Sequence, residues 1–207
     1  LDDIKELQNT AKEISDEYLS LAKIAQKLDE NKRVSSLDFN KIEPYLEDNS
    51  SFHYLKIKWL VEKDSTKDAY EYFNKYKNTI NITNPILWAV QSEILGRRLI
   101  SQKKYREAYE VMTIDQKQEN QIFANLEFLK GWIALRIFKD IPRAVEHFQS
   151  FSQLGSNNED RSSALYWIAK SYLANDEKNE AIEYLMKASK FENTYYGLLS
   201  KSEILIE

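Results

Sequence analysis

Four segments of this 207-residue chain repeat one pattern: alanine, an apolar residue, glutamate, any residue, and a second apolar residue. They are Ala69-Tyr70-Glu71-Tyr72-Phe73, Ala108-Tyr109-Glu110-Val111-Met112, Ala144-Val145-Glu146-His147-Phe148 and Ala181-Ile182-Glu183-Tyr184-Leu185. Subtracting successive alanine positions gives 39, 36 and 37. A period of about 34 to 40 residues belongs to arrays of helix-turn-helix units such as tetratricopeptide repeats. In a helix, residues four apart share a face. The alanine would therefore let two helix backbones approach, and the apolar residue four positions on would fill the space beside it. The glutamate falls off that face and is expected in solvent.

A large apolar residue stands nine positions before each alanine (Leu60, Leu99, Leu135 and Tyr172) and belongs to the first helix of each pair. The pairs read as 51–63 with 66–79, 86–101 with 105–113, 119–138 with 143–154, and 160–174 with 178–189. Boundary signals agree with these spans. Asn84 before Pro85 gives an N-cap and a proline where no amide donor is needed, and Pro142 can open a second helix in the same way. Ser65 with Asp68, and Thr10 with Glu13, resemble capping boxes, while Gly155 is placed to end a helix in the left-handed conformation. Each first helix carries one tryptophan: Trp59, Trp88, Trp132 and Trp167. Upstream, Ile4, Leu7, Ala11, Ile14, Tyr18, Leu21, Ala25 and Leu28 make residues 2–30 one long amphipathic helix. Residues 37–47 form a short helix with Pro44 near its end.

Composition points the same way. With 4 glycines and 3 prolines, the chain lacks the regular turn signals of a β architecture. The fold class expected is all-α, a right-handed superhelix of tetratricopeptide-like helix-turn-helix repeats. Residues 1–50 would cap the array and 51–200 would form it. A net charge of −4 and a pI near 5.5 do not suit a general phosphate-backbone binder. The basic group Arg97, Arg98, Lys103, Lys104 and Arg106 reads as a solvated helix end that complements the helix dipole. The absence of cysteine excludes disulfides, thiolate metal sites and cysteine nucleophiles. No apolar run approaches the roughly 20 residues of a membrane span, and no signal peptide is visible. The first residue, Leu1, is not Met, so the sequence reads as a processed or excised form and missing targeting signals carry little weight.

The C-terminal half carries a resemblance. The run Ala124 to Phe138, followed by Lys139-Asp140-Ile141-Pro142-Arg143-Ala144, resembles the Gly-Trp region of soluble lytic murein transglycosylases. Ser163 through Tyr172 is similar to that family's Tyr-Trp stretch. Ala188 through Leu199, with Thr194-Tyr195-Tyr196-Gly197, resembles the signature that closes its superhelical domain. The three motifs occur in order over about 75 residues; upstream of residue 85 the likeness is architectural only. The resemblance implies a periplasmic, U-shaped or ring-forming helical scaffold that precedes a lysozyme-like domain cleaving peptidoglycan glycan strands. The family's catalytic glutamate lies in that following domain, in a Glu-Ser context with a Gly-Leu-Met-Gln stretch downstream. Glu203 is followed by Ile204, so no catalytic residue carries over, and residues 201–207 read as the start of a linker toward such a domain. Lys170 stands where the family often has arginine.

No constellation of residues suggests chemistry within the chain itself. Glycosidase chemistry needs paired carboxyl groups, one of them raised in pKa, and the repeat glutamates Glu71, Glu110, Glu146 and Glu183 suit a structural role better. Glu159-Asp160 and Asp176-Glu177 fall at helix starts and read as capping. His53 and His147 lack the clustered partners of a metal site, and His147 beside Phe148 reads as packing. No catalytic residue, metal or cofactor is expected. The aromatic residues Trp132, Tyr166, Trp167, Tyr195 and Tyr196, with Gly197, have two readings. They are core at helical spacing, or one or two of them meet a glycan, a partner or the following domain. The expected function is a non-catalytic scaffold that positions a transglycosylase domain and peptidoglycan glycan strands. The alternative is a tetratricopeptide-type adaptor for a protein or peptide partner in the cell envelope.

Overall fold

The structure, a computed structural model, describes residues 16–43, 46, 49–77, 81–115 and 118–204, the side chain of Glu17 excepted. Among these residues it is all-helical, without a strand. The helices in order are α1 (Asp16–Asp29), α2 (Ser36–Ile42), α3 (Ser50–Glu62), α4 (Thr66–Tyr76), α5 (Pro85–Ser101), α6 (Tyr105–Val111), α7 (Gln121–Ile133), α8 (Ile141–Leu154), α9 (Asn158–Leu173), α10 (Lys178–Ser189) and α11 (Tyr195–Ile204). A π-helical turn, Ala134–Phe138, extends α7. The chain forms two compact units, Leu1–Leu95 and Gly96–Glu207.

The eight helices read from the repeat are those observed as α3 to α10. Their spans differ at the ends by a residue or a few, because terminal turns are where sequence signals are weakest. The part of the expected N-terminal helix before Asp16, the capping pair Thr10–Glu13 and Pro44 lie outside the described residues. The short helix expected over 37–47 is observed as Ser36–Ile42, opened by a capping box between Ser35 and Asp38.

The register of the repeat has a physical basis at two levels. Ala69, Ala108, Ala144 and Ala181 are all fully buried, as are Phe73, Met112, Phe148 and Leu185 four residues on. Each large side chain of this kind contributes about 1.5–3 kcal/mol when removed from water. The turn before each alanine is also shared. Asp64, Lys103, Lys139 and Asp176, each five residues ahead of its alanine, adopt the left-handed conformation with φ between 57° and 60°. In three of the four turns the next amide donates back to the apolar residue nine positions before the alanine. Ser65 N–H reaches Leu60 O at 3.0 Å, Lys104 reaches Leu99 O at 2.8 Å and Glu177 reaches Tyr172 O at 3.0 Å. This is the Schellman closure of a helix C-terminus. In the third turn Asp140 N–H reaches one residue further, to Ala134 O at 3.0 Å, because the helix ends in the π-turn.

Three boundary expectations are corrected. Gly155 is extended (φ −74°, ψ 139°); its small size is needed because a Cβ there would lie 2.7 Å from the Asp160 side chain. Ser65 makes no side-chain cap, and its hydroxyl donates to the Asp68 carboxylate at 2.9 Å. Asp176 closes the preceding helix in the left-handed region, and α9 is capped by Asn157, whose side chain accepts from Asp160 N–H at 2.8 Å. Pro142 is the second residue of α8, whose N-cap is Asp140. Asn84 does cap α5, its side-chain oxygen accepting from Leu87 N–H at 3.3 Å.

In the first unit, α1, α2 and α3 enclose Ile24, Leu28, Val34, Ile42, Leu46 and Phe52, with Phe39 and Trp59 packed against them. In the second unit α8, α9 and the π-turn share Leu135, Ala144, Phe148 and Ile168. Helices α9 to α11 meet around Tyr166, Ala169, Ala181 and Leu185. No helix among the described residues is long and apolar enough to cross a membrane.

Candidate functional site

The structure gives the Thr194-Tyr195-Tyr196-Gly197 stretch a structural reason for each residue. Thr194 precedes α11, and its hydroxyl oxygen accepts from Gly197 N–H at 3.0 Å while its O–H donates to Phe191 O at 2.8 Å. A Cβ on Gly197 would lie 2.0 Å from that same carbonyl oxygen, so no larger residue fits. This tight cap fixes the direction of α11 and with it the two tyrosines. The Tyr195 N–H donates to the Glu159 carboxylate at 3.2 Å, which puts a negative charge at the positive end of α11. Tyr195 is 67 % exposed.

Tyr196 turns inward. Its ring lies 5.2 Å from that of Tyr166 and, together with Phe128 and Phe151, it walls a groove of about 220 Å³. Arg97, Asn125 and Glu159 supply polar groups to the same groove. Its aromatic wall has a second layer. Trp167 meets Phe128 edge-on at 6.0 Å and stacks on Phe148 at 6.0 Å, and the Arg136 guanidinium lies 5.6 Å from the indole centre. The indole N–H of Trp167 is buried without a hydrogen-bond partner among the described residues.

Of the six residues singled out in the sequence, Tyr166, Trp167, Tyr195, Tyr196 and Gly197 thus converge on α9 and α11. Trp132 does not join them; it packs on Tyr105 with ring centres 6.5 Å apart. The sixth partner of the cluster is one the sequence did not single out for this role. Glu203 accepts from the Tyr166 hydroxyl at 2.8 Å and pairs with Lys170 at 3.3 Å. Burial, followed by the Glu203 hydrogen bond, pushes the Tyr166 hydroxyl well above the usual phenol range. That group stays a neutral donor at any physiological pH.

A second polar cluster in the same unit was also missed. Glu127 and Lys130, both nearly inaccessible, form an ion pair at 2.8 Å inside the apolar-looking run of α7. The other carboxylate oxygen of Glu127 lies 2.6 Å from His147 Nδ1, and His147 Nε2 lies 2.5 Å from the Tyr109 hydroxyl. A carboxylate only accepts, so Nδ1–H donates to Glu127. The one available signal was a Glu and a Lys three residues apart on the buried face of a helix.

Comparison with protein-family models, with curated proteins and with solved structures finds no match to this chain. The groove therefore stands on its own chemistry. Flat aromatic faces beside amide, carboxylate and guanidinium groups suit a polar ligand with an apolar face, as a sugar ring has. The two carboxylates that line the groove, Glu159 and Asp160, are sequence neighbours in the first turn of α9.

Proposed function

We propose that this chain is a non-catalytic, tetratricopeptide-like helical scaffold, a right-handed superhelix that holds peptidoglycan glycan strands for a lytic transglycosylase domain in the periplasm. The observation that carries the reading is the groove of Tyr196, Phe128 and Phe151 with Asn125, Glu159 and Arg97. Asn125, Phe128 and Tyr196 come from segments whose sequence resembles the transglycosylase scaffold, while Arg97, Phe151 and Glu159 lie outside them. The shared register of alanines and left-handed turns supports the repeat part of the reading. Its mechanism is positional: stacking on the aromatic wall orients a sugar ring, and the polar groups fix its hydroxyls.

Co-sedimentation with purified peptidoglycan sacculi tests this. The expected result is saturable pelleting of the chain, weakened by Tyr196→Ala, with no release of soluble muropeptides by the chain alone. Pelleting that is absent, or unchanged in a folded Tyr196→Ala variant, overturns it.

The adaptor reading has one observation in its favour. Tyr195 and Leu198, on one face of α11, are 67 % and 58 % exposed, which suits a protein partner or an adjoining domain. Binding of an envelope protein that is lost in Tyr195→Ser/Leu198→Ser, with sacculus binding absent, would favour it.

A further inference from the structure

In the first unit, Lys56 of α3 occupies an unusual position. Its Nζ lies 3.8 Å from the ring centre of Phe39 and 4.3 Å from that of Tyr72. Two aromatic faces thus hold the ammonium at the wall of a cavity of about 190 Å³. Among the described residues no carboxylate is within ion-pair distance of it. Glu43, which lines the cavity, is paired with Lys75 at 3.4 Å. Among the described residues the lining charges are Lys56, Lys75 and Glu43, a balance of one positive charge. Tyr76 and Leu46 add apolar surface to the rest of the wall, and Asn40 adds an amide.

Behind that wall His53 is fully buried. A carbonyl only accepts, so His53 Nε2–H donates to Leu46 O at 3.0 Å, and Nδ1 then accepts from the Tyr72 hydroxyl at 2.8 Å. The Tyr76 ring stacks on the imidazole at 4.0 Å. The aromatic wall is therefore fixed in place by hydrogen bonding and stacking, with Lys56 against it and open volume in front.

We propose that this cavity binds the carboxylate of a small organic anion, with Lys56 as its counter-ion and Phe39, Tyr72 and Tyr76 against its apolar body. Charge and shape both favour that class. One net positive charge matches a monoanion, and cation–π contact leaves the ammonium's N–H groups free to donate. At about 30 Å³ per water molecule the cavity holds about six waters, room for a short-chain carboxylate or the terminal residue of a peptide. A phosphate would have to desolvate a second charge against the rings of Phe39, Tyr72 and Tyr76, which disfavours it.

Burial is the main cause that lowers the Lys56 amine to about 8, with Glu43 opposing and Lys75 reinforcing it. Among the described residues the charged or titratable groups facing it are Glu43 after α2, Lys75, Tyr72 and Tyr76 on α4, and His53 on its own helix. From α1, Asp29 is engaged by Lys58 at 3.1 Å. A carboxylate in the cavity would favour the charged amine, so binding should weaken as pH rises past about 8.

Calorimetric titration of the whole chain with butyrate, with an acetylated dipeptide acid, with that peptide's C-terminal amide and with inorganic phosphate tests the proposal. The expected result is saturable binding of one or both acids and of neither control. Binding by butyrate assigns a free acid as the source, and binding by the peptide acid alone assigns a chain terminus. Lys56→Met, which keeps the apolar stem, should weaken binding by about tenfold or more, with an unchanged circular dichroism spectrum. The same loss should follow in the unaltered chain on raising the pH from about 7 to about 10, which covers a variant that misfolds. No binding of either acid, equal binding of the amide or phosphate, or affinity indifferent to both Lys56→Met and pH overturns the proposal.

Discussion

Glu127 of α7 and His147 of α8 are joined at 2.6 Å through Oε2 and Nδ1, inside a network that also holds Lys130 and Tyr109. A carboxylate this deeply buried is retained only because each of its oxygens has a charged or N–H partner. Glu127→Ala removes a carboxylate partner from the buried Lys130 ammonium and from His147, so unfolding in urea should show a loss of about 3–5 kcal/mol. Glu127→Leu/Lys130→Met removes both charges, and the double variant should recover most of that loss. If the double variant is as unstable as the single one, the network contributes by its shape and not by its charge.

The four left-handed turn residues give a prediction of opposite sign. Lys103 and Lys139 are held at φ 60° and 57°, where a Cβ is unfavourable and glycine is not. Lys103→Gly and Lys139→Gly should each stabilise the fold by about 0.5–1 kcal/mol, read from the shift of the urea midpoint. Loss of stability in both would mean that the lysine side chains make contacts that outweigh the backbone strain.

Gly197 should tolerate nothing larger. With a Cβ 2.0 Å from Phe191 O, Gly197→Ala must displace α11 or break the Thr194 cap, a cost of about 1–3 kcal/mol. Thr194→Val, which removes only the capping hydroxyl, should cost about 1 kcal/mol. Thermal unfolding followed by circular dichroism measures both, and Gly197→Ala should show the larger fall.

His53 makes the stability of its surroundings pH-dependent. Burial is the main cause that holds its imidazole below the ordinary value of 6.5. The folded state therefore binds fewer protons than the unfolded chain in that window, and stability rises with pH there. The contribution is complete above about pH 6.5 and is lost as pH falls through the folded-state value. Because carboxylates titrate nearby in pH, the decisive quantity is the difference between the unaltered chain and His53→Gln. That difference should shrink on acidification from pH 7 to about pH 5; one that is constant across the window contradicts the assignment.

Much of this fold was legible in the sequence because its signals are periodic. Small and large apolar residues at fixed offsets encode which face of each helix is covered, and the helix spans follow from them. The turn conformation was not legible: a left-handed C-terminus is normally read from glycine, and here it falls on Asp64, Lys103, Lys139 and Asp176. Sequence also placed the aromatic cluster on α9 and α11 but gave no means to separate Trp132 from it, since its direction depends on packing against Tyr105. The Glu127–Lys130 pair and the Lys56 cavity were hidden for a common reason. Their further partners lie on other helices, His147 of α8 beside Glu127 and Phe39 of α2 and Tyr72 of α4 beside Lys56, and a charged side chain in one helix shows nothing of what the next helix brings beside it.

The central claim is that the aromatic groove receives glycan. Its most direct measurement is a nuclear magnetic resonance titration of the isotope-labelled chain with soluble, uncrosslinked peptidoglycan glycan strands. The account expects saturable shifts concentrated at Asn125, Phe128, Phe151 and Tyr196, weakened about tenfold in Tyr196→Ala, since one stacked aromatic contributes on the order of 1–2 kcal/mol. Shifts that are absent, that fall elsewhere on the chain, or that survive unchanged in a folded Tyr196→Ala variant would contradict it.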